Sequence, residues 1–133
     1  MNLLPAVYVI DDDAAIQDAL QGLLATWGIR VHAFFSAESF LESYSDEWIG
    51  CLLVDVRMPG MSGFDLLEEL RRRGGSLPGI LMTGHGDAGL EQEAINAGAL
   101  DVLEKPFRVE QLRDCLERRC PELFRGTEPA GDA

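Results

Sequence analysis

Apolar positions along the chain alternate between two rhythms. Ala6-Val7-Tyr8-Val9-Ile10 is a short continuous run, the pattern of a strand buried on both faces. Ile16, Ala19, Leu20, Leu23, Leu24 and Trp27 then recur at helical spacing, and Gly28 supplies a stop. Ile29, Val31 and Ala33 alternate with Arg30 and His32 as a second strand, and Ser36 is placed to cap a helix carrying Ala37, Phe40, Leu41 and Tyr44 inward. Cys51-Leu52-Leu53-Val54 predicts a third strand ending in Asp55. Ser62, with Asp65 three residues on, forms a capping-box variant for a helix that buries Leu66, Leu67 and Leu70. Ile80-Leu81-Met82-Thr83 is the fourth strand. A helix over about residues 87–97 follows, with a thin stripe of Leu90, Ala94 and Ile95 that predicts the most weakly held helix. Leu100 to Glu104 gives the fifth strand, and a last helix carries Val109, Leu112 and Leu116.

Strict alternation of strand and helix predicts an α/β fold with a parallel sheet covered on both faces. Five such units suit a flavodoxin-like (βα)5 three-layer sandwich with a five-stranded sheet of order 2-1-3-4-5, although alternation does not itself dictate that order. The 133 residues fit one domain, set at 1–120, and residues 121–133 read as a flexible tail or linker.

Charge narrows the function. Acidic residues outnumber basic ones by 23 to 11, a net charge of −12, which argues against direct nucleic-acid binding and against anionic membranes. No apolar run approaches the roughly 18 residues of a membrane span, and the N-terminus reaches Asp11 too early for a signal peptide. Cys51, Cys115 and Cys120 form no C-x-x-C pair. A cytoplasmic, reducing setting is the expectation.

Ligands in a parallel α/β sheet bind at the carboxyl ends of the strands. There the sequence collects Asp11-Asp12-Asp13 after strand 1, Asp55 at strand 3, Thr83 at strand 4 and Lys105 at strand 5; strand 2 ends in Phe34-Phe35 and offers nothing. Crowded carboxylates call for a hard cation with few protein ligands, which fits Mg²⁺. A carboxylate nucleophile, Mg²⁺, a hydroxyl donor and a lysine together suit phosphoryl transfer.

Four segments then match a known pattern in order and spacing: Val9-Ile10-Asp11-Asp12-Asp13, the stretch from Leu53 through Asp55-Val56-Arg57-Met58-Pro59 to Gly63, Met82-Thr83-Gly84-His85-Gly86, and Glu104-Lys105-Pro106-Phe107. From about Val7 to Arg119 the chain resembles the receiver domain of two-component response regulators. Thr83 to Asp87, with Ser36-Ala37-Glu38, is similar to receivers of nitrogen-fixation-type regulators, which usually carry a C-terminal DNA-binding domain.

The resemblance implies a phosphoacceptor switch rather than an enzyme acting on other molecules. Asp55 would take a phosphoryl group from a sensor histidine kinase. Asp11, Asp12, Asp55 and the main-chain carbonyl of Arg57 would hold Mg²⁺. Thr83 would bond the phosphoryl oxygen, Lys105 would pair with Asp55 or its phosphate, and Lys105-Pro106 would be a cis peptide. Arg57 and His85 would flank the attacking water and tune phosphate lifetime. Phosphorylation would promote homodimerisation or domain release through the face of helix 4 and strand 5, controlling transcription. The family's switch aromatic, three residues before the lysine, is replaced here by Val102. Rival readings are a haloacid-dehalogenase-type phosphatase, for which Asp11-Asp12-Asp13-Ala14 supplies only part of the motif, a phosphorylation-independent pseudo-receiver, and a flavodoxin-like nucleotide binder, which lacks its glycine-rich loop.

Overall fold

The computed structural model describes residues 4–84 and 89–125. Among the described residues, five strands and six helices follow in the order β1 (Ala6–Ile10), α1 (Ala14–Thr26), β2 (Arg30–Phe34), α2 (Ala37–Ser43), β3 (Gly50–Asp55), α3 (Gly63–Arg72), β4 (Gly79–Thr83), α4 (Glu91–Ala97), β5 (Asp101–Glu104), α5 (Val109–Arg119) and α6 (Glu122–Arg125). All pairings are parallel and the sheet order is β2-β1-β3-β4-β5, as expected. The central strands are buried along their whole length because each face has its own helices. Tyr8, Ile10, Leu52, Val54 and Leu81 pack with Phe40, Leu66, Leu70, Ala94 and Ala97 on the side of α2, α3 and α4. Val7, Val9, Leu53, Ile80 and Met82 pack with Leu20, Leu24, Leu112, Leu116 and Leu123 on the side of α1, α5 and α6.

Local signals explain most boundaries. Ser36 and Ser62 cap α2 and α3 through their hydroxyls, and the Ser62–Asp65 capping box is complete in both directions. Asp13 caps α1, accepting from the main-chain N–H groups of Ala15 and Ile16.

Several expectations need correction. α4 begins at Glu91 and not near residue 87; Gly89, at φ 89°, has left the helical region and the chain enters α4 only after it. Residues 85–88 lie outside the described residues. In the thin stripe, Ile95 is exposed, because α4 meets its neighbours through Ala94 and Ala97, and Ile95 lies a 100° step around the helix from Ala94. Val109 is exposed at the first turn of α5, whose inward face is Leu112, Cys115 and Leu116. Ala19 is exposed too: the seam of α1 runs through Gln17, Leu20 and Leu24, at i, i+3 and i+7. Packed structure also passes residue 120, since α6 buries Leu123; of the expected tail, residues 126–133 lie outside the described residues.

Candidate phosphoryl-transfer site

β1, β3, β4 and β5 bring Asp11, Asp55, Thr83 and Lys105 to one edge of the sheet. Asp11 directly follows β1, Asp55 and Thr83 are the last residues of their strands, and Lys105 follows β5. Asp11 is fully buried, Asp55 and Thr83 nearly so, and Asp12 faces solvent. Oxygens of Asp11, Asp12 and Asp55 lie within 4.8 Å of one another. Lys105 Nζ stands 3.0 Å from Asp11 Oδ2 and 3.4 Å from Asp55 Oδ1, bridging the two buried carboxylates. Its main-chain N–H donates to the Thr83 carbonyl at 2.7 Å, and the Lys105–Pro106 peptide is cis.

The electrostatics follow from this crowding. Burial, then the charge of Asp11, raises the Asp55 carboxyl, against the opposing pull of Lys105 and a hydrogen bond from the Arg57 main chain. Burial works to lower the Lys105 ammonium, but its hydrogen bond to Asp11 and the charges of Asp11 and Asp55 more than offset that and raise it. Three carboxylates against one ammonium leave two negative charges uncompensated when all are ionised. A divalent cation matches that deficit, and an all-oxygen donor set suits Mg²⁺.

The surroundings hold this geometry still. Asp11 Oδ1 accepts from the main-chain N–H of Asp13 at 2.9 Å, while the Asp13 carboxylate is spent on capping α1. A dehalogenase-type pair built from Asp11 and Asp13 is therefore disfavoured. Gly63 opens α3 directly behind Asp55, where a Cβ would come within 2.5 Å of the Asp55 carbonyl oxygen; no larger residue fits without moving the strand end. The loop between them is pinned by Glu38, whose Oε2 accepts from the Met61 main-chain N–H at 2.9 Å.

Glu38 entered the sequence reading only as part of a motif, and Gln17 was absent from it. The Gln17 side chain is buried, and its Nε2 donates toward the carbonyls of Val9 (3.0 Å), Asp11 (3.1 Å) and Phe34 (2.9 Å). It thus ties the end of β1, where Asp11 begins, to the end of β2. The available signal was an amide on an otherwise apolar helical seam. Arg57 is exposed beside the site, and His85 lies outside the described residues. Val102 is half-buried beside a cleft of about 590 Å³ that Thr83, Leu90 and Ala94 also border.

Comparison with known proteins gives this arrangement its family. The model for the response regulator receiver domain matches residues 7–117. The chain is 43% identical over 124 residues to the transcriptional regulatory protein FixJ of Bradyrhizobium diazoefficiens, covering 93% of this chain and 58% of that one. It is 45% identical over 106 residues to the response regulator protein TmoT of Ectopseudomonas mendocina, covering 80% and 48%. The crystal structure of FixJ-N superposes with a TM-score of 0.80 at 38% identity, covering 89% of this chain and 94% of that one. The chain spans about half the length of the curated relatives it matches. It belongs to the response regulator receiver domain family and is a module of two-component signal transduction.

Proposed function

We propose that Asp55 is the phosphoacceptor of this receiver. The observation that carries the reading is the Lys105 ammonium held between Asp11 and Asp55, at 3.0 and 3.4 Å. An Asp55 oxygen attacks phosphorus, the bond to the donor nitrogen of a kinase phosphohistidine breaks, and an acyl phosphate forms on Asp55. Lys105 balances charge developing on the transferring group, and the Thr83 hydroxyl donates to a phosphoryl oxygen. Asp11, Asp12, Asp55 and the Arg57 main-chain carbonyl would hold Mg²⁺, which supplies charge neutralisation at the phosphoryl oxygens when bound. Arg57, exposed beside the site, tunes how long the acyl phosphate survives; His85, the second residue expected to do so, lies outside the described residues.

The partner is a sensor histidine kinase and the setting is cytoplasmic; no helix among the described residues is long and apolar enough to cross a membrane. By analogy with its relatives, the output is transcription, delivered through a further domain joined by the segment after α6. The face of α4 and β5, where Ile95 and Leu100 are exposed, is the surface for phosphorylation-dependent homodimerisation. The domain acts catalytically only on itself, and it makes no direct contact with nucleic acid.

Incubation with acetyl phosphate and Mg²⁺ should add a single phosphoryl group, read by intact-mass spectrometry. Asp55→Asn or EDTA should abolish it. Undiminished labelling of Asp55→Asn would overturn the assignment.

A further inference from the structure

The face of the sheet below α2 carries a second, unassigned site. α2 has seven residues, about 10 Å of helix, whereas the five-residue strands beneath it run about 16 Å. β1 stays buried throughout, but the edge strand β2 is exposed at Arg30 and His32. Trp48, from the loop before β3, borders a cleft of about 510 Å³ together with Leu4, Tyr8, Arg30, His32, Phe34 and Ser43. That size falls in the range of small-molecule sites.

Its walls are aromatic and ordered. Tyr8 stacks on Trp48 at 4.8 Å with an interplanar angle of 3°, and on His32, its cross-strand partner, at 5.4 Å and 17°. Tyr8 thus stacks with two rings, and the His32 side of the group is exposed.

Its polar groups are unspent. The Tyr8 ring is buried, and its hydroxyl, which makes no hydrogen bond among the described residues, is not among the buried unpartnered atoms and so remains available to a ligand in the cleft. Burial raises the phenol above its ordinary value, so at neutral pH it is a donor. The Ser43 hydroxyl and the Arg30 guanidinium likewise have no hydrogen bond or ion pair among the described residues, although Arg30 is one of only 11 basic residues against 23 acidic. Among the described residues, no acidic residue borders the cleft. Two hydroxyls and a cation, all able to donate, surround an aromatic wall: the complement of a flat ring bearing a carboxylate.

We infer that this cleft binds a planar aromatic carboxylate, its ring stacked on the His32–Tyr8–Trp48 column and its carboxylate held by Arg30, Tyr8 and Ser43. The site lies on the α2 side of β1 and β2 and shares no residue with the phosphoryl-transfer site, so ligand binding and phosphorylation are separately measurable.

The probe is 2-naphthoate, with the neutral 2-naphthalenemethanol as control, titrated into ¹⁵N-labelled protein. A two-ring ligand of this size should bind with a dissociation constant on the order of a millimolar. Saturable shifts are expected at the amides of Arg30, His32 and Ser43 and at the Trp48 indole. Arg30→Gln, at an exposed position, should weaken naphthoate about tenfold and leave the alcohol unchanged. Tyr8→Phe should weaken naphthoate about threefold while keeping the stack. The inference is overturned if no saturable shift arises, if shifts centre on Thr83 and Val102, or if Arg30→Gln binds naphthoate as wild type does.

Discussion

Asp11 is restrained at three points: its carbonyl by Gln17, one carboxylate oxygen by the Asp13 N–H and the other by Lys105. A carboxylate fixed in this way would lose little freedom on binding the proposed Mg²⁺, which suits a pocket with few protein ligands. The Gln17 restraint has a cost. Its Oε1 is buried without a partner among the described residues, so the position uses the amide purely as a donor. Gln17→Met keeps the shape and removes the donors from three carbonyls. Urea unfolding should show a loss on the order of 2 kcal/mol, and Mg²⁺ titration followed by NMR should show weaker binding. A change under about 0.5 kcal/mol would reduce Gln17 to filler. Asp101 illustrates a different economy. Burial works to raise its carboxyl, but hydrogen bonds from the Val102 N–H, Arg119 and Cys115 win and hold it below the usual carboxylate range. A lowered folded value means the stabilisation is present above the unfolded value of about 3.9 and is lost as pH falls through the folded one. Asp101→Asn should therefore cost under about 1 kcal/mol at neutral pH, given its partial exposure, and the difference from wild type should vanish in acid.

Helices α3 and α4 differ in how firmly they are held. α3 has ten residues, a complete capping box and three buried leucines; α4 has seven residues, no side-chain cap and only Ala94 and Ala97 buried. Fully burying a leucine is worth about 1.5–3 kcal/mol, and an alanine supplies far less area. Amides of α4 should exchange with deuterium well before those of α3 or α5, by mass spectrometry or NMR. A helix held this loosely can respond to a new contact at Thr83 without an aromatic relay. Beryllofluoride, which mimics the phosphoryl group on Asp55, should alter α4 exchange in wild type, and Val102→Phe should add nothing. If only Val102→Phe responds, a response of α4 to Thr83 without an aromatic relay is ruled out. The same contrast explains what was legible in sequence. Strands buried on both faces announce themselves as apolar runs, and Asp11, Asp55, Thr83 and Lys105 follow because strand ends are where such a sheet binds ligands. Ile95, Val109 and Gln17 were misread or missed for one reason. Hydropathy assigns a residue to a face by its own chemistry, whereas a short or terminal helix is placed by its neighbours.

At the scale of the molecule, the three helices on one side of the sheet meet at Arg113 above their shared core. The Arg113 guanidinium of α5 lies 5.0 Å from the Trp27 ring, which ends α1, and 4.6 Å from the Phe124 ring of α6. Its Nε also donates to Glu117 at 2.9 Å, which fixes the plane of the sandwich. Leu123 and Cys120 are buried beneath, in the core formed with Leu112 and Leu116. α6 is thus part of the folded unit, although the sequence alone places it in the tail or linker of residues 121–133. Truncation after residue 120 would expose the surface that Leu123 covers and remove one side of the cation–π sandwich. Leucine burial of about 1.5–3 kcal/mol and a cation–π contact of about 0.5–1 kcal/mol predict a loss near 3 kcal/mol in urea unfolding. Because α6 supplies none of the residues gathered around Asp55, the truncated protein should still take up phosphate from acetyl phosphate wherever it remains folded. Leu123→Ala separates the two contributions: it should recover most of the loss while keeping Phe124 on Arg113. Unchanged stability after truncation would return the boundary to residue 120. A large loss from truncation with none from Leu123→Ala would place the fastening in the Trp27–Arg113–Phe124 sandwich instead of the core beneath it.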